Sequence, residues 1–197
     1  FNGNRRIIPR ILCPAPLYKA RQQITRSLVL PVIEFVIFES WFGTISVVQR
    51  DGRIICLDLS ENDMYQEHRH ILRRFPTAVE TDLPFKRVRT LLHRYLKGQQ
   101  VDFDIEIDIS DLPEFTRKVL EELRRIPYGE TRSYSEIAAL TGQPKGSRAV
   151  GQAIKRNPIP IIIPCHRVIR HDGSLGGFSL GEKIKKRLLF LEGIQKT

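Results

Sequence analysis

A chain of 197 residues is long enough for one large or two small domains, and its hydrophobic content of 41% is enough to build a core. The 32 Lys and Arg residues outnumber the 22 Asp and Glu residues, and the resulting net charge of +10 favours a polyanionic partner. No apolar run approaches the roughly 20 residues that cross a membrane, so nucleic acid is the better candidate for that partner.

The first part of the chain predicts a basic, proline-punctuated arm over residues 1–30, followed by a small α/β unit over residues 31–110. Within the unit, Asp51-Gly52 predicts a tight hairpin turn, because these residues accept the positive φ that such turns need. Cys56 is predicted to be a core residue of the strand after this turn. Strands are predicted at 33–40, 44–49, 54–59 and 103–109, and helices at 62–75 and 84–97.

The rhythm of the sequence changes after residue 110, and residues 111–197 predict a mostly helical domain. A helix is predicted over 111–126, with Asp111 as a possible N-cap and Glu114 at capping-box spacing. Two short helices at 133–140 and 147–156, joined by a glycine-bearing turn, are typical of a helix-turn-helix, although a plain helical hairpin in a core is the alternative. A final helix is predicted over 182–192.

The most informative stretch is Asn157–Val168, which reads NPIPIIIPCHRV. Its prolines and its apolar run predict a rigid buried segment that ends at Pro164. Cys165 follows immediately, beside His166 and Arg167, and nearby cationic groups lower the pKa of a cysteine thiol and so favour the nucleophilic thiolate. This pattern predicts a reactive cysteine, whereas the alternative is a structural cysteine buried at the end of a strand.

In these residues the chain resembles the O6-alkylguanine-DNA alkyltransferases, which are single-turnover DNA-repair proteins. The resemblance covers about residues 111–193, and the stretch PCHRV behind an NP-x-P turn is its most specific part. It is carried by the segments IPYGETRSY, RAV, NPIPIIIPCHRV, GGFS and LEG, in the order and spacing of the family. The N-terminal half matches only in its strand, hairpin and helix plan, which resembles the ribonuclease-H-like domain of the family.

The resemblance implies a fold class and a reaction. The fold would be α/β, with a ribonuclease-H-like domain at 31–110 and a helical alkyl-acceptor domain at 111–197. The protein would transfer an alkyl group from O6-alkylguanine, and less well from O4-alkylthymine, to Cys165 and so inactivate itself. By similarity, His166 would take the thiol proton through a water molecule and Glu192 would orient His166. Tyr134 and Lys185 would assist the departing base.

The resemblance also implies that the damaged base is rotated out of double-stranded DNA, because a base inside a duplex cannot meet a buried thiol. Arg148 would fill the gap that the base leaves, and its helix would lie in the minor groove with little sequence specificity. Ser135, Gln143 and His171, together with Tyr134, would contact the DNA. Residues expected to form the substrate pocket are Asn157, Pro160, Val168, Phe178 and Ser179.

No metal and no cofactor are expected. Cys13, Cys56 and Cys165 are odd in number and far apart, which predicts neither a disulfide framework nor a compact zinc site. This cysteine pattern, with no recognisable signal peptide, favours a reducing compartment, either the cytoplasm or a eukaryotic nucleus. A monomer is expected.

Two other classes of function remain open from the residues. One is a DNA-binding module without catalysis, against which the presence of Cys165 argues. The other is a cysteine hydrolase, which needs an oxyanion hole, and no glycine-rich donor loop precedes Cys165 to supply one.

Overall fold

The structure, a computed structural model, describes residues 31–195. The predicted basic arm at residues 1–30 and Cys13 lie outside this range. Within it, no helix combines the length and the apolar character that crossing a lipid bilayer requires.

The N-terminal half is built on a four-stranded sheet with the order β3-β2-β1-β4. Strands β1 to β3 are antiparallel neighbours, and β4 pairs in parallel with β1. Asp51 and Gly52 turn β2 into β3 with φ values of 50° and 80°, which confirms the predicted hairpin turn. The strands are β1 (Ile33–Ser40), β2 (Gly43–Arg50), β3 (Arg53–Ser60) and β4 (Val79–Glu80).

Two helices follow the predicted positions in this half. Helix α1 (Met64–Arg74) begins where the side chain of Asp63 accepts a hydrogen bond from the backbone N–H of Gln66. Helix α2 (Lys86–Leu96) continues a short 3-10 turn and buries the apolar face that its spacing predicts. Tyr95, on that face, is only 1% exposed.

The strand predicted at residues 103–109 is wrong. The side chains there do alternate in burial, but the backbone makes only one bridge, between Ile107 and Ile54. The physical reason is the limited free edge of β3, because the N–H of Leu57 is already bonded to the carbonyl of Pro158 at 2.9 Å. Alternation therefore marks a half-buried extended segment here, without a ladder.

Helix α3 (Glu114–Arg124) opens the C-terminal half, and its predicted cap is also wrong. The N-cap position belongs to Pro113, which makes no side-chain cap. The Asp111 carboxylate instead accepts a hydrogen bond from Arg50 at 2.9 Å, across 61 positions of the sequence. A contact of this range is invisible to local spacing rules, which explains the error.

The remaining helices surround the central motif. Ser133 and Glu136 form a capping box at the start of α4, and α5 packs against α4 after the turn at 141–146. Strand β5 pairs in parallel with β6, which brings the start of α4 beside the residues that follow Cys165. These elements are β5 (Arg132–Ser133), α4 (Tyr134–Leu140), α5 (Ser147–Lys155), β6 (Val168–Ile169) and α6 (Glu182–Leu191).

The largest cluster of core residues draws on both halves of the chain. It includes residues of the sheet and of α2, and it continues through α3, α4 and α5 to the segment around Cys165. The central motif is therefore held from both sides by buried apolar side chains. A residue of the N-terminal half can thus reach the centre of the C-terminal half.

Candidate active site

The apolar run before Cys165 forms a tight buried turn. The N–H of Ile163 donates to the carbonyl of Ile159 at 2.9 Å, and Pro160 bridges to Ile163. Ile161 has φ 73°, a left-handed conformation that a β-branched residue adopts only where its surroundings impose it. The run is buried, as predicted, and it doubles back on itself.

Asn157 connects this turn to the cysteine. Its side-chain oxygen accepts a hydrogen bond from the N–H of Ile159, and its side-chain NH₂ donates to the carbonyl of Ile163, both at 3.0 Å. The same NH₂ group lies 3.0 Å from Cys165 Sγ, where it donates to the sulfur. One buried amide therefore fixes the turn and orients the thiol that follows it.

Cys165 is 1% exposed and begins a single 3-10 turn, Cys165–Arg167. Burial raises the pKa of its thiol to about 11, although the hydrogen bond from Asn157 and the charge of Lys185 act in the opposite direction. The predicted net lowering of this pKa is therefore wrong for the free protein, because burial outweighs the charge and the hydrogen bonds that lower it. The guanidinium of Arg167 points to Glu192 instead.

His166 and Glu192 form a buried pair. Nε2 of His166 lies 2.9 Å from Oε1 of Glu192, and a carboxylate oxygen only accepts, so Nε2 carries the hydrogen. Nδ1 is buried and has no hydrogen-bond partner within residues 31–195. Burial lowers the pKa of His166, and a neutral ring with its hydrogen on Nε2 leaves Nδ1 as a proton acceptor.

Glu192 is the centre of a larger network. Burial acts to raise its pKa, but hydrogen bonds from His166 and Arg167 outweigh this and lower it to about 2. Arg167 donates to both carboxylate oxygens from Nε and Nη2, and its Nη1 donates to the carbonyl of Ile126 at 2.6 Å. The hydroxyl of Tyr95 adds a donor at 2.6 Å from Oε1.

Tyr95 and Arg167 are functional-site residues that the sequence analysis did not predict. Arg167 stands inside the stretch PCHRV, and its position next to His166 was the available signal. Tyr95 had none, because a tyrosine on the apolar face of α2 looks like any core aromatic residue. Only the shared core brings it to His166, 71 positions away.

Lys185 is fully buried on the inner face of α6. Its ammonium group donates to the carbonyls of Val168 and Leu175, and burial lowers its pKa to about 8. Its charge acts on Cys165 as well, since each shifts the pKa of the other. Local sequence patterns do not predict the burial of this lysine.

A cavity of ≈ 800 Å³ lies outside this buried cluster. Tyr134 lines this cavity. Burial raises the pKa of its hydroxyl, and the nearby thiol of Cys165 raises it further. The loop over the cavity packs closely on Tyr134, because a Cβ added at Gly176 would lie 3.0 Å from its ring. Phe178 lines the cavity and meets the ring of His166 edge-on at 6.4 Å between centroids.

Most of the site residues predicted from the sequence lie in two groups in the structure. The buried group lies around the thiol and comprises Asn157, Pro160, Cys165, His166, Val168, Lys185 and Glu192. The second group lines the cavity and comprises Tyr134, Ser135, Arg148, His171, Phe178 and Ser179. Gln143 is exposed in the turn between α4 and α5 and does not line this cavity.

Both halves of the chain match known proteins. Residues 35–109 match the ribonuclease-like domain of 6-O-methylguanine DNA methyltransferase, and residues 114–194 match its DNA-binding domain. The methylated-DNA–protein-cysteine methyltransferase of Mycolicibacterium paratuberculosis is 39% identical over 161 residues, which are 82% of this chain and 93% of that protein. The constitutive enzyme of Bacillus subtilis is 38% identical over 158 residues, or 79% and 93% of the two chains.

The chain belongs to the 6-O-methylguanine DNA methyltransferase family.

Solved structures agree with this membership. The crystal structure of Mycobacterium tuberculosis OGT in complex with DNA has a TM-score of 0.70 and 34% identity, and the match covers 81% of this chain and 92% of that one. The Methanococcus jannaschii O6-methylguanine DNA methyltransferase has a TM-score of 0.58 and 30% identity, covering 82% and 95%. The predicted fold class of this methyltransferase family member is thereby confirmed.

Residues 31–195 of this methyltransferase contain no cluster of metal-binding side chains. No group of three or more His, Cys, Asp and Glu residues in that range could hold an ion. Cys56 is 5% exposed within β3, as predicted, and its sulfur accepts a hydrogen bond from Arg74 at 3.2 Å.

Proposed function

We propose that this chain repairs DNA by moving the alkyl group of O6-alkylguanine, and less readily that of O4-alkylthymine, onto its own Cys165. The observation that carries the proposal is the environment of one sulfur atom. A buried thiol is held by an amide and stands beside an imidazole whose Nδ1 has no hydrogen-bond partner in the described part of the chain, and a cavity with cationic residues at its rim lies outside it. The relatives named methylated-DNA–protein-cysteine methyltransferase support the same assignment.

The reaction is a displacement at a saturated carbon. The thiol proton passes to Nδ1 of His166 through a water molecule, and the thiolate then forms an S–C bond while the bond between that carbon and O6 breaks. The base leaves with the electron pair and takes up one proton, so the thiol hydrogen and the alkyl group are exchanged. The thioether is stable, which makes the protein a single-use acceptor that needs no cofactor and no metal.

Deprotonation is the difficult step, because the pKa of the Cys165 thiol is raised in the free protein. Three neighbours act against this burial. Asn157 donates to the sulfur, the ammonium of Lys185 stabilises negative charge on it, and His166 accepts its proton. We assign Tyr134 to the base, since it lines the cavity and its hydroxyl, which makes a long hydrogen bond of 3.3 Å to the carbonyl of Gly177, can donate to the departing guanine instead.

The cavity rim suits a flipped base and its DNA. Arg148 and Lys155, at opposite ends of α5, and Arg170, in the loop after β6, place three cationic side chains around it. We assign Arg148 to the gap in the duplex, and the small residues of α5 to close approach in the minor groove. Phosphate contacts of this kind make affinity fall as salt rises.

We further propose a monomer whose parts are an N-terminal arm at 1–30, a ribonuclease-like domain at 31–110 and an alkyl-acceptor domain at 111–197. Ser135 and His171 would contact the DNA backbone from the rim, and Gln143 would do so from the turn between α4 and α5. Val168, Phe178, Ser179 and Pro160 would shape the pocket. Such a protein works where the genome is, in the cytoplasm or in a eukaryotic nucleus.

Mass spectrometry of the intact protein tests the function. After incubation with duplex DNA that contains O6-methylguanine, the chain gains about 14 Da once, the mass of one methyl replacing a proton, and peptide mapping places it on Cys165. Unmodified duplex is the control and adds no mass. Binding without a mass gain would support a non-catalytic module, and repeated turnover on an ester substrate would support a hydrolase; either result contradicts the proposal.

The Arg148→Ala substitution tests base flipping. Transfer from duplex DNA is expected to fall about 10- to 100-fold, because flipping costs a few kcal/mol that the arginine no longer offsets. Transfer from the free base O6-benzylguanine, which needs no flipping, is expected to stay within about twofold of the unmodified protein. Rate constants for both substrates, measured at one salt concentration, decide the matter.

Lys155→Ala is the matched control, since it removes the same charge from the other end of the same helix. It lowers affinity for every duplex by a similar factor and spares the chemical step once DNA is saturating. If Arg148→Ala behaves like Lys155→Ala, or if it slows the free base as much as the duplex, Arg148 has no role in flipping.

A further inference from the structure

Tyr95 reaches the catalytic pair from the ribonuclease-like half of the chain. Its hydroxyl lies 2.6 Å from Oε1 of Glu192 and 3.1 Å from Nε2 of His166, and all three groups are buried. The aromatic ring is fixed by edge-on contacts with Phe103 and Tyr128. Because the ring is buried and packed against these neighbours, its hydroxyl is held next to Glu192 and His166.

The direction of each hydrogen bond follows from the chemistry of the three groups. Glu192 only accepts, so the hydroxyl of Tyr95 and Nε2–H of His166 both donate to its Oε1. Burial raises the pKa of Tyr95 well above its ordinary value, and Glu192 raises it further, so the donor hydrogen stays in place. The phenol oxygen can then serve as a second, longer acceptor for Nε2–H.

The two contacts of the hydroxyl act on His166 in opposite senses. By donating to Oε1, the hydroxyl partly neutralises the carboxylate, so Glu192 stabilises the protonated imidazolium form of His166 less. By accepting from Nε2–H, it stabilises that proton. The first contact dominates, since it is a charge-assisted bond of 2.6 Å and the second is a neutral-oxygen contact of 3.1 Å.

Several other charged or titratable groups within residues 31–195 act on His166. Positive charges act against protonation of the ring, and Glu192 acts in favour of it. The charged or titratable neighbours are Arg167 and Cys165 on its own turn, Lys185 on α6, Glu192 after α6, and Tyr95 on α2.

We propose that Tyr95 is a positioning residue of the alkyl-transfer reaction, whose hydroxyl restrains Glu192 so that Nδ1 of His166 stays free to receive the thiol proton. The inference rests on the proposed function, and it gives the ribonuclease-like half a part in the chemistry. Without the hydroxyl, Glu192 favours the imidazolium form, which cannot take a proton from Cys165.

The Tyr95→Phe substitution tests this, because it removes one oxygen and keeps the packed ring. Transfer from O6-methylguanine in duplex DNA is expected to be about 3- to 10-fold slower at pH 7, and the pH at half-maximal rate is expected to move upward. At high pH the rate returns toward that of the unmodified protein. A purely structural role would lower stability and leave the pH at half-maximal rate unchanged.

Tyr128→Phe is the matched control. The hydroxyl of Tyr128 donates to the carbonyl of Leu191 at 2.7 Å, so its loss also costs a hydrogen bond at the end of α6. Within residues 31–195 this hydroxyl makes no hydrogen bond to Glu192 or His166, so the pH at half-maximal rate is expected to stay in place. If both variants shift the profile equally, the proposal for Tyr95 is overturned.

A measurement without DNA separates this proposal from the proposed function. Nuclear magnetic resonance titration of the His166 ring is expected to show protonation at higher pH in Tyr95→Phe than in the unmodified protein, and replacement of Tyr95 by 3-fluorotyrosine, a stronger donor, should move it lower. Unchanged titration in both overturns the role of Tyr95, even if repair occurs. Shifted titration supports that role, whereas failure of the unmodified protein to accept a methyl group contradicts only the proposed function.

Discussion

The Cys165→Ser variant will accept no detectable alkyl group, with the transfer rate reduced at least about a thousandfold. A serine hydroxyl has a far higher pKa than a thiol and is a much poorer nucleophile for a saturated carbon, so neither Asn157 nor His166 can activate it sufficiently. The side chain is nearly the same size, and the surrounding turn is retained. Affinity for duplex DNA with O6-methylguanine is therefore expected to stay within about threefold of the unmodified protein.

Cys56→Ser makes the same atomic change at the other buried cysteine of residues 31–195. It places a hydroxyl in the core of the sheet and is expected to cost about 1–2 kcal/mol of stability. Alkyl transfer is nevertheless expected to be complete. Methyl uptake by Cys165→Ser at an appreciable rate, or its loss in Cys56→Ser despite a folded protein, would show that Cys165 is not the acceptor.

The local signals of the sequence located most of the helices and strands and singled out Cys165 as the candidate nucleophile. Strands β1 to β3 lie where alternating and β-branched residues predict them, and the Asp51-Gly52 turn starts the pairing of β2 with β3. The stretch around Cys165 was informative because its prolines restrict the backbone, whatever the rest of the chain does. Where a local signal failed, as at Asp111, a distant partner had replaced the local one.

The electrostatics of the site could not be read from the sequence. Adjacency to His166 and Arg167 suggested an acidic thiol, but a side chain's direction is set by the fold, and Arg167 turns toward Glu192. Burial then dominates the pKa of Cys165. Tyr95 was missed for the same reason, since its hydroxyl acquires a role only when two halves of the chain share one core.

This shared core changes how the reaction is understood. In the free protein the pKa of the Cys165 thiol is raised to about 11, so the thiol form is favoured over the reactive thiolate near neutral pH. The hydrogen-bond network around Glu192 is already formed in this state. A protein that can be used only once benefits from such an arrangement.

Glu192→Gln is expected to unfold more easily, by about 3–5 kcal/mol at neutral pH, and to transfer alkyl groups slowly. The amide keeps the shape of the side chain but removes its charge. Arg167 is then a buried cation without its counter-ion, and the new NH₂ group faces donors rather than acceptors. Urea denaturation at pH 7 measures the loss, and Glu114→Gln, at an exposed pair with Lys118, should leave the unfolding free energy almost unchanged.

The pH dependence of that difference identifies its cause. The pKa of Glu192 is about 2 in the folded chain, below the ordinary value of 4.5, so its ionised form contributes stability above pH 4.5 that is lost as the pH falls through about 2. The unmodified protein should lose this advantage over Glu192→Gln as the solution is acidified, and the two unfolding free energies should converge. A difference that stays constant from pH 7 to pH 3 would point to altered packing at position 192 and against a charged network.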